Sequence, residues 1–135
     1  MNPELEAALR LLLSAVLGAI IGFQRERAHK PAGLRTHILI CVGSALFTVV
    51  SIMGFSGTVD PARVAAGVVT GIGFLGAGVI FRGMRGESHV IGLTTAASIW
   101  VTAAIGIAAG VGMYIIASAV AILTVIVLFI PRVKG

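Results

Sequence analysis

Charge is what this sequence has least of. Asp, Glu, Lys and Arg make up 11% of its 135 residues, against roughly 25% in soluble domains. That shortage excludes an ordinary water-solvated surface. The five acids are Glu4, Glu6, Glu26, Asp60 and Glu87, and none stands in the middle of an apolar run. A hard divalent ion such as Mg2+ wants carboxylate oxygens, so the residues by themselves assign no metal and no other cofactor. One cysteine, Cys41, excludes an internal disulfide. The three histidines, His29, His37 and His89, have no metal-ligand spacing; they fall near the ends of apolar runs and read as interfacial hydrogen-bonding groups. GxSxG, a Walker-type loop and a carboxylate pair within an apolar run are all missing, so no enzyme is expected. Aromatics are 6%, and no basic face interleaves with them, so the net charge of +5 does not signal a nucleic-acid partner. The basic start of a signal peptide is missing too, because Glu4 and Glu6 stand there instead.

What is there is apolar: 58% of the residues, with a mean hydropathy of +1.09. A backbone in lipid must satisfy its own hydrogen bonds, so such runs become helices. The expected fold is all-α, one transmembrane domain over residues 1–135 with about five spans. Asn2-Pro3-Glu4 suits a helix start, and the first span runs from about Leu5 to Phe23. Arg10 lies near its end, four residues after Glu6, placed to pair with it and snorkel. The second span covers Thr36 to about Phe55. The third follows Asp60-Pro61 and ends at Phe81. The fourth, about Thr94 to Ala109, is shorter than the roughly 20 residues a span needs, so a re-entrant helix is the alternative there. The fifth, about Met113 to Ile130, is the most apolar and faces lipid most.

The third span holds GVVTGIGFLGAGVIFRG, residues 67–83, with six glycines. Gly71, Gly73 and Gly76 spell G-x-G-x-x-G, but the strand and βαβ context of a dinucleotide site is missing. In a membrane, glycine lets helices approach closely. Gly67, Gly71 and Gly78 share one face, and Gly73 and Gly76 lie on roughly the opposite one, so this helix is expected at the centre with neighbours on two sides. Gly18 and Gly22 form a second groove, on the first span.

Polar residues form stripes. His37, Cys41, Ser44, Thr48 and Ser51 recur at spacings of three and four, and Thr95, Ser98, Thr102 and Gly106 do the same on the fourth span. Interhelical packing explains them; a polar passage is the other reading. Glu26, Arg27, Arg35, Thr36 and Arg82 are expected to gather at one mouth, with Glu26 pairing with Arg35 or Arg82. Structural and functional roles both stand for that cluster. Eight of the ten Lys and Arg (Arg25, Arg27, Lys30, Arg35, Arg82, Arg85, Arg132 and Lys134) fall on one side, and Arg10 and Arg63 on the other. That asymmetry predicts an outside N-terminus and a cytoplasmic C-terminus.

Several motifs fall in order along the chain: Glu26-Arg27, Gly33-Leu34-Arg35-Thr36, GxGFLGAGVI from Gly71 to Ile80, and Gly92-Leu93-Thr94-Thr95-Ala96-Ala97 followed by Trp100. Together they resemble the MgtC/SapB family over nearly the whole sequence. The resemblance implies a bacterial inner-membrane protein with a five-helix hydrophobic domain. It also implies adaptation to magnesium limitation and, in one branch, virulence inside host cells. Many members continue into a cytoplasmic ACT-like domain, and this sequence reads as the form without it. The function expected is a regulator of other membrane proteins, with the bilayer and membrane partners as its contacts and a homodimer compatible with the glycine grooves. A transporter or channel for Mg2+ or another ion, formed by an oligomer, is the alternative.

Overall fold

The structure is a computed structural model that describes residues 2–83 and 92–131, without the side chains of 81–83. Among the described residues all regular structure is helical: α1 (Pro3–Arg27), α2 (Leu34–Met53), α3 (Ala62–Gly83), α4 (Leu93–Val111) and α5 (Tyr114–Leu128). The chain encodes most of these limits locally. Asn2 Oδ1 accepts the Glu4 N–H at 2.8 Å and Asp60 Oδ1 accepts the Ala62 N–H at 3.0 Å, each capping an orphan donor. Gly112, at φ +99°, ends α4 in the left-handed region. The Met113 N–H then reaches back to the Ala108 carbonyl at 2.9 Å, a Schellman-type stop that only glycine adopts without strain. α1 runs one turn beyond the expected Phe23, so Arg25 is part of the helix.

Successive helices alternate in direction. Gly22 lies against Leu34 and Gly18 against Cys41, so α2 descends along α1. Gly106 meets Ser44 and Gly110 meets Thr48, so α4 runs parallel to α2. Arg10 bonds to Tyr114, which sets the start of α5 beside the start of α1.

Two expectations are corrected. The hub is α4, which packs against all four other helices; among the described residues α3 packs on α4, touches α2 slightly, and makes no contact with α1 or α5. α4 buries Thr95, Ser98, Thr102, Ala103, Gly106, Ala109 and Gly110, so it is narrow on several faces and neighbours close in around it. Four of the α3 glycines instead face outward, and Gly76 alone of those described is turned toward α4. A Cβ at Gly67, Gly71, Gly73 or Gly78 would meet nothing within 4 Å, and at Gly76 it would make only ordinary contact with Ala96 at 3.5 Å. The short helix is also not the fourth. α4 has 19 residues and is long and apolar enough to cross a membrane, as are α1, α2 and α3. α5 has 15, or roughly 23 Å at 1.5 Å per residue, against a hydrocarbon core of about 30 Å.

The packing differs from that of a water-soluble protein. Many fully buried positions are small or polar, with Ser14, Ala45, Thr102, Ala109, Ala117 and Ala121 all 0% exposed beside a few large residues such as Ile21 and Ile105. Large apolar side chains point outward, with Phe74 at 81%, Ile115 at 85% and Leu39 at 70%. A surface this apolar requires an apolar solvent.

Candidate functional site

Two polar assemblies hold the bundle at its opposite ends. At the first, Arg10 bonds Glu6 Oε1 at 2.9 Å, Tyr114 Oη at 3.2 Å and the Gly110 carbonyl at 2.9 Å. The expected pair forms, and the guanidinium also serves the C-terminal carbonyls of α4, where a cation is favoured. One side chain thereby ties α1, α4 and the start of α5.

The second assembly centres on two buried residues that face each other across α1, α2 and α4. Arg25, 3% exposed, donates from Nη2 to Thr95 Oγ1 at 2.7 Å. His37, fully buried, lies 2.8 Å through Nδ1 from the Gly33 carbonyl and 3.0 Å through Nε2 from Ser98 Oγ. Nδ1 carries the proton, since a carbonyl only accepts; Nε2 then accepts from the Ser98 hydroxyl. Ser98 Oγ also stands 2.7 Å from the Thr95 carbonyl, so its one proton is shared between the two acceptors. Thr102 Oγ1 donates to the Ser98 carbonyl at 2.6 Å, and Thr48 Oγ1 to the Ser44 carbonyl at 2.8 Å. The stripes of Ser44, Thr48, Thr95, Ser98 and Thr102 are therefore buried at the α2–α4 seam, and three of the hydroxyls back-bond within their own helices. His37 is a core residue of this seam, not an interfacial one.

Close approach of backbones makes both the α1–α2 and the α2–α4 seams. A Cβ at Gly18 would lie 2.7 Å from the His37 carbonyl oxygen, at Gly22 2.8 Å from Leu34 Cα, and at Gly110 2.8 Å from the Ala45 carbonyl oxygen. At Gly106 it would run into the Cys41 carbonyl.

The expected charged cluster of Glu26, Arg27, Arg35, Thr36 and Arg82 can be followed only in part, because the Arg82 side chain lies outside the described residues. Glu26 forms no ion pair with Arg35; Oε1 instead accepts the Leu34 N–H at 2.9 Å, capping α2, whose preceding residue Gly33 has no side chain to do so. Arg27 lies over the Phe23 ring at 5.7 Å. Arg35 is exposed, and Thr36 borders a cavity. The side chain of Arg82, together with Arg85, Glu87, His89, Arg132 and Lys134, lies outside the described residues. Among the described residues, no three His, Cys, Asp or Glu side chains stand close enough to hold a metal ion.

Sequence reasoning missed Arg25. A first span ending at about Phe23 leaves Arg25 outside the helix. The signal was present: Gly18, Ile21, Gly22 and Arg25 share one helical face at spacings of three and four.

Four long apolar helices, a small-residue core and a lipid-like exterior define a polytopic helical membrane protein. The MgtC family model matches residues 11–134, and the chain belongs to that family. It is 48% identical over 130 residues to Escherichia coli K12 "Putative magnesium transporter YhiD", covering 91% of this chain and 59% of that one. Protein MgtC of Brucella abortus is 46% identical over 112 residues, covering 83% and 45%. Protein SrpB of Synechococcus elongatus is 44% identical over 117 residues, covering 79% and 64%. The chain thus spans about half to two-thirds of the length of these relatives. No solved structure matches.

Proposed function

We propose that this chain is the membrane-embedded part of a non-enzymatic bacterial inner-membrane protein that regulates other membrane proteins under magnesium limitation. The observation that carries this reading is the open glycine face of α3. Gly18, Gly22, Gly106 and Gly110 are each filled by a neighbouring helix, whereas Gly67, Gly71 and Gly78 have open space above them; Gly43 on α2 is open too, but as a single glycine rather than a face of three. A mid-bilayer helix gains from glycine when another helix lies on it, and a membrane partner or a second copy fits there. The seam supports the same reading: Thr48, Ser98 and Thr102 spend their protons inside the bundle, so one copy offers a hydrated ion no row of free hydroxyls. The magnesium link comes from the name of the YhiD relative. Arg25, Arg27, Lys30 and Arg35 cluster at one end of the bundle and Arg10 at the other, which supports an outside N-terminus.

The second reading, an ion transporter built from an oligomer, is favoured by that same name. Two assays separate them. In a strain lacking the gene, Gly71→Leu is expected to abolish rescue of growth at low magnesium while the protein remains in the membrane. Liposomes carrying the purified chain are expected to show no Mg2+ flux. Flux that disappears on Thr95→Val or Ser98→Ala would overturn the regulator reading in favour of transport.

A further inference from the structure

Arg25 has more donors than acceptors. A guanidinium offers five N–H groups; among the described residues the one bond made goes to Thr95, and Nε is buried with no partner. Among the described residues the only ion pair is Glu6–Arg10 at the far end of the bundle. The last turn of α1 favours a cation through its exposed carbonyl end, which explains why arginine is tolerated there. It leaves the remaining donors unused. A buried arginine that no described residue neutralises points to a functional site.

Arg25 and Thr95 border a cavity of about 1120 Å³, together with Lys30, Thr36, Gly92 and Thr94. The N-terminus of α4 opens into it. Gly92 offers no side-chain cap and no acid stands in the first turn. The first backbone bond of the helix is Ala96 N–H to the Gly92 carbonyl, so the N–H groups of residues 93–95 precede the ladder. The close approach that sets this terminus against α3 requires glycine: Gly92 has φ +90°, and a Cβ there would lie 3.2 Å from the Val79 carbonyl oxygen. Two cationic side chains, hydroxyls and a helix N-terminus converge, and no acid borders the cavity among the described residues. Such a donor set is complementary to an anion with several oxygens.

We propose that this cavity is an anion site that takes a phosphate group, held by Arg25 and the first turn of α4, with Lys30 and Thr36 at its mouth. The group belongs either to an anionic phospholipid, whose chains would follow the apolar wall of Leu75, Val79 and Val127, or to a soluble phosphate. The site is independent of the regulator reading, since it concerns binding alone.

The test uses the full chain purified in a neutral detergent with two probes, phosphatidylglycerol followed by native mass spectrometry and inorganic phosphate followed by calorimetry. Arg25→Gln is expected to weaken the bound probe about tenfold, a loss of one charge-assisted pair. Arg27→Gln, whose side chain lies over Phe23 away from the cavity, is expected to change it less than about twofold. A phosphatidylglycerol adduct that inorganic phosphate does not displace identifies a lipid; phosphate binding without lipid identifies a soluble ligand. If Arg25→Gln does not fold, Arg25→Lys and the wild-type melting temperature decide, read with phosphate against chloride at equal ionic strength and with phosphatidylglycerol against a neutral lipid. A rise with either phosphate-bearing probe, reduced in Arg25→Lys, supports the site; no rise with either, or a rise unchanged in Arg25→Lys, overturns it. The proposal also fails if the wild type binds neither probe, or if Arg25→Gln and Arg27→Gln weaken binding equally. Binding gained only in Glu87→Gln would mean that a carboxylate of this chain fills the site, and would overturn it as well.

Discussion

Adding a single methyl group should separate the glycines that build this bundle from those that do not. In Gly18→Ala the new Cβ would stand 2.7 Å from the His37 carbonyl oxygen, 2.9 Å from Cys41 Cβ and 3.1 Å from Ile38 Cα. Two of these atoms are backbone and the third is a Cβ, so no rotamer change relieves the clash. Reaching the 3.4 Å of ordinary contact from 2.7 Å moves α1 off α2 by about 0.7 Å. A gap of that size forfeits roughly a quarter to a half of each nearby dispersion contact. Overpacking of this kind costs about 1–3 kcal/mol. Gly71→Ala meets nothing within 4 Å, and alanine favours a helix by up to about 1 kcal/mol over glycine, so it should be neutral or stabilising in the isolated chain. Reversible unfolding in mixed detergent micelles, followed by helicity, measures both. If Gly18→Ala proves as stable as the wild type, or Gly71→Ala as damaged as Gly18→Ala, the assignment of contact faces is wrong.

Other substitutions probe the remaining junctions by the same unfolding measurement. Ser98→Ala removes the hydroxyl that donates to His37 Nε2 and leaves a buried acceptor unpaired, at about 1–3 kcal/mol; His37→Leu in the Ser98→Ala background should recover part of it, and strict additivity would argue against the bond. Glu26→Ala uncaps α2 and should cost about 0.5–2 kcal/mol, whereas Glu26→Gln keeps an acceptor and should cost less; equal losses would mean that charge rather than capping matters. Tyr114→Phe deletes one of three partners of a partly exposed Arg10 and should cost no more than about 1 kcal/mol, while Arg10→Ala, which also abandons the Gly110 carbonyl, should cost more.

Composition and residue spacing are enough to set the class of fold, because apolar runs of this length have one stable backbone solution in lipid. They also set the helix starts at Asn2 and Asp60 and the Glu6–Arg10 pair, all of which depend on neighbours within about four residues. The tertiary structure decided which glycines are contacts. Gly18 and Gly71 sit in equally apolar helices and differ only in what lies across from them, which no periodicity encodes. It also decided that α4 and not α3 is the hub, and that Glu26 caps α2 rather than pairing with Arg35. Arg25 shows the division most plainly. Its helical face was legible at spacings of three and four, but its burial depends on α4 arriving from 70 residues away to set Thr95 against it. Local chemistry is written in the chain, whereas the partner across a helix seam is a property of how all five helices share the available space.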